Sequence, residues 1–259
     1  MKFPGLRQVV ASLAAVAMLF SLSPAATAAD GGAALAREVS VELYGLSGEV
    51  AMAMYDDTNP AFAKQARAQL DQMKPQVESA LQELSKVDAA AGTASRESWQ
   101  RIHDALVGGG DYGEGLLATG YDAKVHGDFD EGVQQVNAAL GKAWKLDDTA
   151  GPVESRAYVL AAKTIASYIK ASASPFGSYT NSFNDDTDPV KLVARLDTLV
   201  AELSGKYKGD KEKGQKVARV AAKWQFIRTT ILKVGKQSTP LIVYKHGGDI
   251  VRDLKSLNP

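Results

Sequence analysis

The sequence predicts an all-α protein built as two tandem up-down helical-bundle modules related by internal duplication, and three observations carry that expectation. Apolar residues advance in steps of three and four, as in Val217, Val220, Trp224, Ile227, Ile231 and Val234, and one segment earlier in Leu192, Leu196, Leu199 and Leu203. Such spacing lays one apolar stripe along a helix packed nearly parallel or antiparallel to its neighbours. No comparable run alternates apolar and polar residues as a half-buried strand does. The third observation is a set of echoes: "YDDTNP" at 55–60 returns as "NDDTDP" at 184–189, and "WQRI" at 99–102 returns as "WQFI" at 224–227. Between these anchors Leu70 aligns with Leu196 and Val77 with Leu203, so three anchors keep their order with little drift, the mark of a repeat.

The elements follow in chain order. Residues 1–28 read as a signal peptide: Lys2 and Arg7 precede an apolar run at 9–22, and Ala26-Thr27-Ala28 supplies the small residues of a processing site. The apolar run is shorter than the roughly 20 residues that span a bilayer, so export without an integral membrane segment is expected, with a periplasmic or secreted destination. The first module, 31–150, should start with a helix near 35–54. A second follows the "DDTNP" turn on Ala66, Leu70, Met73, Val77, Ala80 and Leu84, and a third runs on Ser95, Trp99, Ile102 and Leu106 until Gly108-Gly109-Gly110 stops it. A fourth, less regular helix leads to the hinge "LDDTAGPVES", where Gly151 and Pro152 end one helix and begin the next. The second module, 151–259, repeats the order, opening with a helix near 153–171.

The polar clusters read first as caps. Asn59 before Pro60 and Asp188 before Pro189 are helix-start chemistry: a polar cap, then proline where its missing N–H costs nothing. Calcium at these turns is the lesser alternative. The run Asp128-Phe129-Asp130-Glu131-Gly132 resembles the start of a calcium loop but places glycine fifth and has Ala139 where a bidentate glutamate belongs. Catalytic patterns are weaker still. With no cysteine in the chain, thiol nucleophiles, disulfides and covalent haem attachment are excluded. His103, His126 and His246 lack a second ligand at metal spacing. Ser167-Tyr168-Ile169-Lys170 fits Ser-x-x-Lys by chance composition, and "GLSGE" at 45–49 misses the glycine and the strand of a nucleophile elbow. No catalytic residue, metal or cofactor is assigned.

Charge is uneven behind a neutral total of 30 basic and 30 acidic residues. Residues 29–190 hold 13 Lys/Arg against 24 Asp/Glu, whereas 191–259 hold 15 against 6. The halves should attract one another, or the basic face should receive an anionic ligand or partner. Candidate binding residues cluster around two of the three tryptophans: Trp224 as a floor with Arg219, Lys223 and Arg228 as cations, and Trp99 with His103 four residues on. Core packing of each indole with a cation at its edge accounts for the same pattern. Tyr179, in "SPFGSYTNSF" at 174–183, adds an aromatic, polar loop of the kind that borders a ligand mouth.

The stretches "WQFIRTTIL" at 224–232 and "WQRIHDAL" at 99–106, set in a two-module layout, resemble the extracytoplasmic sensing region of type IV pilus methyl-accepting transducers of the PilJ type. That resemblance implies a soluble relative used for binding or partner contact. The sequence therefore leads to an exported binding or sensory accessory protein without chemistry of its own. Its expected partner is an envelope protein or a small anionic molecule, and no nucleic acid. A structural or assembly protein of the cell envelope is the alternative, and an enzyme with an unrecognised site is the lesser one.

Overall fold

The computed structural model describes residues 26–55, 60–120, 122–146, 149–173, 186–236 and 239–258, and among these the chain is all-α, with no strand. Helix α1 spans Ala26–Tyr55, α2 Pro60–Val87 and α3 Ala89–Val107. A 3-10 turn at Gly110–Tyr112 and the short α4 (Leu116–Thr119) lead to α5 (Ala123–Trp144). Then come α6 (Val153–Ala173), α7 (Pro189–Lys206), α8 (Lys211–Ile231) and α9 (Pro240–Lys255). Residues 1–25 of the expected signal peptide lie outside the described residues. None of the described helices is long and apolar enough to cross a membrane.

Aspartates start four of these helices. Asp88, Asp122, Asp188 and Asp210 each accept a backbone N–H of the first turn, satisfying donors that no carbonyl of the helix can reach. The second "DDT" echo is thus a cap, with Asp188 Oδ1 accepting from the Val190 amide at 2.9 Å and Pro189 in the first turn. Residues 56–59 and 147–148, which carry the other acidic turns, lie outside the described residues. The acidic run 128–131 falls inside α5, where Lys124 Nζ meets Asp128 at 2.7 Å and Lys170 Nζ meets Asp130 at 2.8 Å. A continuous helix cannot wrap a calcium ion as a loop does. Gly108 ends α3 with φ of 91°, a conformation that residues with a Cβ rarely adopt.

The helices close into two rings. In the first, α1 packs on α2, α2 on α3, α3 on α5 and α5 back on α1; in the second, α6, α7, α8 and α9 follow the same cycle. Links of a few residues join α2 to α3 and α7 to α8 and make those neighbours antiparallel. The rings are joined along α1 and α6, and α1 feeds both cores. Ala36, Val39, Leu43, Leu46 and Val50 face the first core, while Val41, Ala51 and Met52 join the second. Helix α6 is buried on nearly every side and is rich in alanine and serine. Small side chains let the two central helices approach closely: a Cβ on Gly48 would stand 3.5 Å from Ile169 Cδ1.

Candidate functional site

The tryptophan sites are built into the cores. Trp224 is 2% exposed, and its Nε1–H donates to Asp197 Oδ1 at 2.7 Å. Arg228 grips the same carboxylate through Nε, at 2.9 and 2.8 Å to its two oxygens, and through Nη2 at 2.8 Å. Lys223 Nζ lies 3.2 Å from Asp249 and 3.4 Å from Asp253, and Arg219 Nη2 lies 3.6 Å from Asp253. The sequence left these three cations facing either the acidic first half or an outside anion; among the described residues they pair with aspartates of their own ring. On α8 they stand at i, i+4 and i+9, where Arg228 reaches Asp197 on α7 and Lys223 and Arg219 reach Asp249 and Asp253 on α9. An ion pair that does cross to the first ring is Lys255 with Glu38 at 2.5 Å.

Trp99, 6% exposed, occupies the first core, well apart in the fold from Trp224. His103 Nδ1 stands 3.2 Å from Asp104 of its own helix. Nearby, Ser98 Oγ and Arg101 Nη2 donate to Gln135 Oε1 at 2.6 and 2.7 Å and tie α3 to α5. The six described sequence candidates are therefore not brought into one site. Tyr179 lies outside the described residues.

The molecule opens where α1, α2, α6 and α9 meet, in a cleft of about 850 Å³. Each helix lines it at steps of three and four: Val41, Tyr44, Gly45 and Gly48 on α1; Phe62, Gln65, Gln69 and Gln72 on α2; Ala162, Ile165, Ala166 and Ile169 on α6; Leu241, Tyr244, Lys245 and Gly248 on α9. The missing side chains of the glycines leave the space. A Cβ on Gly248 would meet nothing within 4 Å. The amide of Gln69 is anchored, donating to the Glu42 carbonyl at 3.0 Å.

Glu49 is the chemical centre of this cleft. Its Oε1 accepts from the Tyr244 hydroxyl at 3.3 Å, while Oε2 is buried with no hydrogen-bond partner. Burial pushes the carboxyl up to about 7, against the opposing pull of the Tyr244 hydrogen bond. The Tyr244 hydroxyl is in turn raised above its ordinary range, first by burial and then by Glu49. Its ring meets Phe62 edge to face, with centroids 5.6 Å apart. At the mouth, Asp249 is held below the ordinary carboxylate range, chiefly by the hydrogen bond from Lys223.

No protein family, curated protein or solved structure matches this chain.

What the cleft can do follows from its inventory. It offers one carboxyl poised near neutrality, a tyrosine donor, a row of amides and apolar walls of isoleucine and aromatic rings. Among the described residues no three His, Asp or Glu side chains converge as metal ligands. Such a lining has the chemistry to hold and orient a small molecule. Sequence reasoning passed over Glu49, although "GLSGE" was singled out for another purpose. The available signal was a lone carboxylate in the otherwise apolar stretch 43–54, four residues after a glycine, which on a buried helix demands a partner.

Proposed function

We propose that this chain is an exported, non-catalytic binding or sensory accessory protein of the cell envelope, and that its ligand seat is the cleft between α1, α2, α6 and α9. The observation that carries this reading is Glu49: a carboxyl in a roomy cleft with one oxygen unpartnered is a group prepared for a donor that the protein does not supply. The basic stripe on α8 supports a ligand less well, because an anion there has to displace Asp197, Asp249 and Asp253 from Arg228, Lys223 and Arg219. Internal duplication belongs to the same proposal. Its support is that Trp99 and Trp224 both ride on the third long helix of a ring, and Pro60 and Pro189 both start the second.

A thermal-shift panel of amines, carboxylates, zwitterions and sugars tests the seat, run on the natural protein and on Gly248→Phe. The phenyl ring enters open space, so the variant folds and fills the cleft. Ligands should raise the melting temperature of the natural protein and leave the variant unmoved. Equal stabilisation of both places the ligand elsewhere and ends the cleft reading. Export is tested separately by the intact mass of protein recovered from the envelope, which should lack residues 1–28.

A further inference from the structure

We propose that the cleft takes an organic ammonium ion carried on an apolar body, with its charge against Glu49 and its body against Phe62, Ile165, Ile169 and Tyr244. This rests on the reading of the cleft as the ligand seat and names the class of ligand. Among the described residues no cation lies within ion-pair distance of Glu49, and Tyr244 supplies its one hydrogen bond, leaving Oε2 buried and bare. Of the cations near the cleft, Lys223 and Arg252 both pair with Asp249, at 3.2 and 3.0 Å, and Lys245 lines the cleft on α9 without an ion pair to Glu49. An N–H donor with positive charge satisfies both the orphaned oxygen and the buried charge, whereas a neutral alcohol answers only the first.

Competing ligand classes fit less well. An anion meets Glu49, finds Arg252 already paired with Asp249, and is left with Lys245 alone among the lining cations. A bare metal ion finds Glu49 and an Asp249 already paired with Lys223 and Arg252, with tyrosine and amide groups around them, too few free hard oxygen donors for a divalent cation. The aromatic rings of Tyr44, Phe62 and Tyr244 suit a cation with hydrocarbon attached, since ring faces attract ammonium groups and the apolar walls bury the rest.

Binding of this kind moves a proton. Near neutral pH the empty cleft holds Glu49 partly as the acid. Arrival of R–NH3⁺ leaves the carboxylate paired with the ammonium and sends the carboxyl proton to solvent, so charge and atoms balance. The ionisable groups lining the cleft with Glu49 are Tyr44 on its own helix and Tyr244, Lys245, Asp249 and Arg252 on α9; the lining residues of α2 and α6 carry none. Tyr44 and Tyr244 are raised by burial and stay neutral, and Asp249 stays ionised. Glu49 is then the group that titrates.

The test is calorimetric titration with three matched probes: 2-phenylethylammonium, 2-phenylethanol and 3-phenylpropionate. The ammonium should bind with a millimolar or better Kd, as expected for so small a ligand, and at least about tenfold tighter than the alcohol, with the propionate weakest. Its affinity should rise about tenfold per pH unit from pH 5 toward 7 and level off above. Heats measured in buffers of different ionisation enthalpy should show proton release at pH 6. Glu49→Gln should keep alcohol binding and lose both the ammonium preference and the pH slope. Failure of the ammonium to bind, equal binding of ammonium and alcohol, or an ammonium preference that survives Glu49→Gln overturns the proposal. If the alcohol or the propionate binds best and Gly248→Phe abolishes it, the cleft stands and the cation class falls. Ammonium binding unchanged by Gly248→Phe removes the cleft itself.

Discussion

Glu49 makes the clearest residue-scale prediction. Its carboxyl titrates near 7 in the folded chain against an ordinary 4.5, so between those values the folded state holds more protons than the unfolded one. Stability must then fall as pH rises from about 4.5 to about 7 and stay flat above, by at most about 3 kcal/mol from this group. Glu49→Gln keeps the shape and removes the charge. Urea midpoints taken from pH 4.5 to 8 should decline in the natural protein and decline less in the variant, which should be the more stable one above pH 7; parallel declines would mean that other groups set the slope. The tryptophans show what can be read at this scale from sequence. Their burial was legible from the step of three and four, and so was the placing of Arg228 one turn along from Trp224. The Asp197 carboxylate that joins them was not, because a contact across 27 residues depends on how α7 and α8 rotate about their own axes. The same holds for Glu49 and Tyr244, which lie 195 residues apart.

At the scale of elements, adjacent glycines on α9 should behave oppositely. A Cβ on Gly247 would lie 2.8 Å from three side-chain atoms of Ile165, so α6 and α9 touch there without room for a methyl group. Gly248 faces open space. Gly247→Ala should cost about 1–3 kcal/mol by overpacking, while Gly248→Ala should gain up to about 1 kcal/mol from helix propensity. Thermal melts of the two single variants decide it, and a gain at both positions would show that α9 stands off from α6. Helix existence and the Asp188–Pro189 start were legible because a cap and a 3.6-residue period are local physics. Pairing was less so. The sequence placed α1 and α6 as opening helices of separate modules, and nothing in their own apolar spacing says that each lies against the other. The hint lay in composition: alanine, glycine and serine all round these two helices mark surfaces that approach other helices on more than one side.

For the whole molecule, the shared helix sets the cooperativity. Val41, Ala51, Met52 and Phe62 come from the first half of the chain yet belong to the second core. A fragment of residues 150–259 lacks them and exposes the face of α6 that meets α1. It should therefore be loosely packed, with weak near-ultraviolet circular dichroism and no sharp melting transition, while the full chain unfolds in one step. A fragment that melts sharply and gives dispersed amide resonances would show the second ring to be self-sufficient. Tryptophan fluorescence supplies the companion measurement on the full chain: Trp99 and Trp224 report different cores, and single-tryptophan variants should give coincident urea transitions.

The position of α1 also constrains the order of assembly. Among the described helices it comes first in the chain, yet the residues that cover its second face, on α6 and α9, come from the second half. Glu38 waits 217 residues for Lys255. Until then an apolar ridge carrying Val41 and Met52 is uncovered on an emerging chain, which favours slow closure and gives a holdase something to grip.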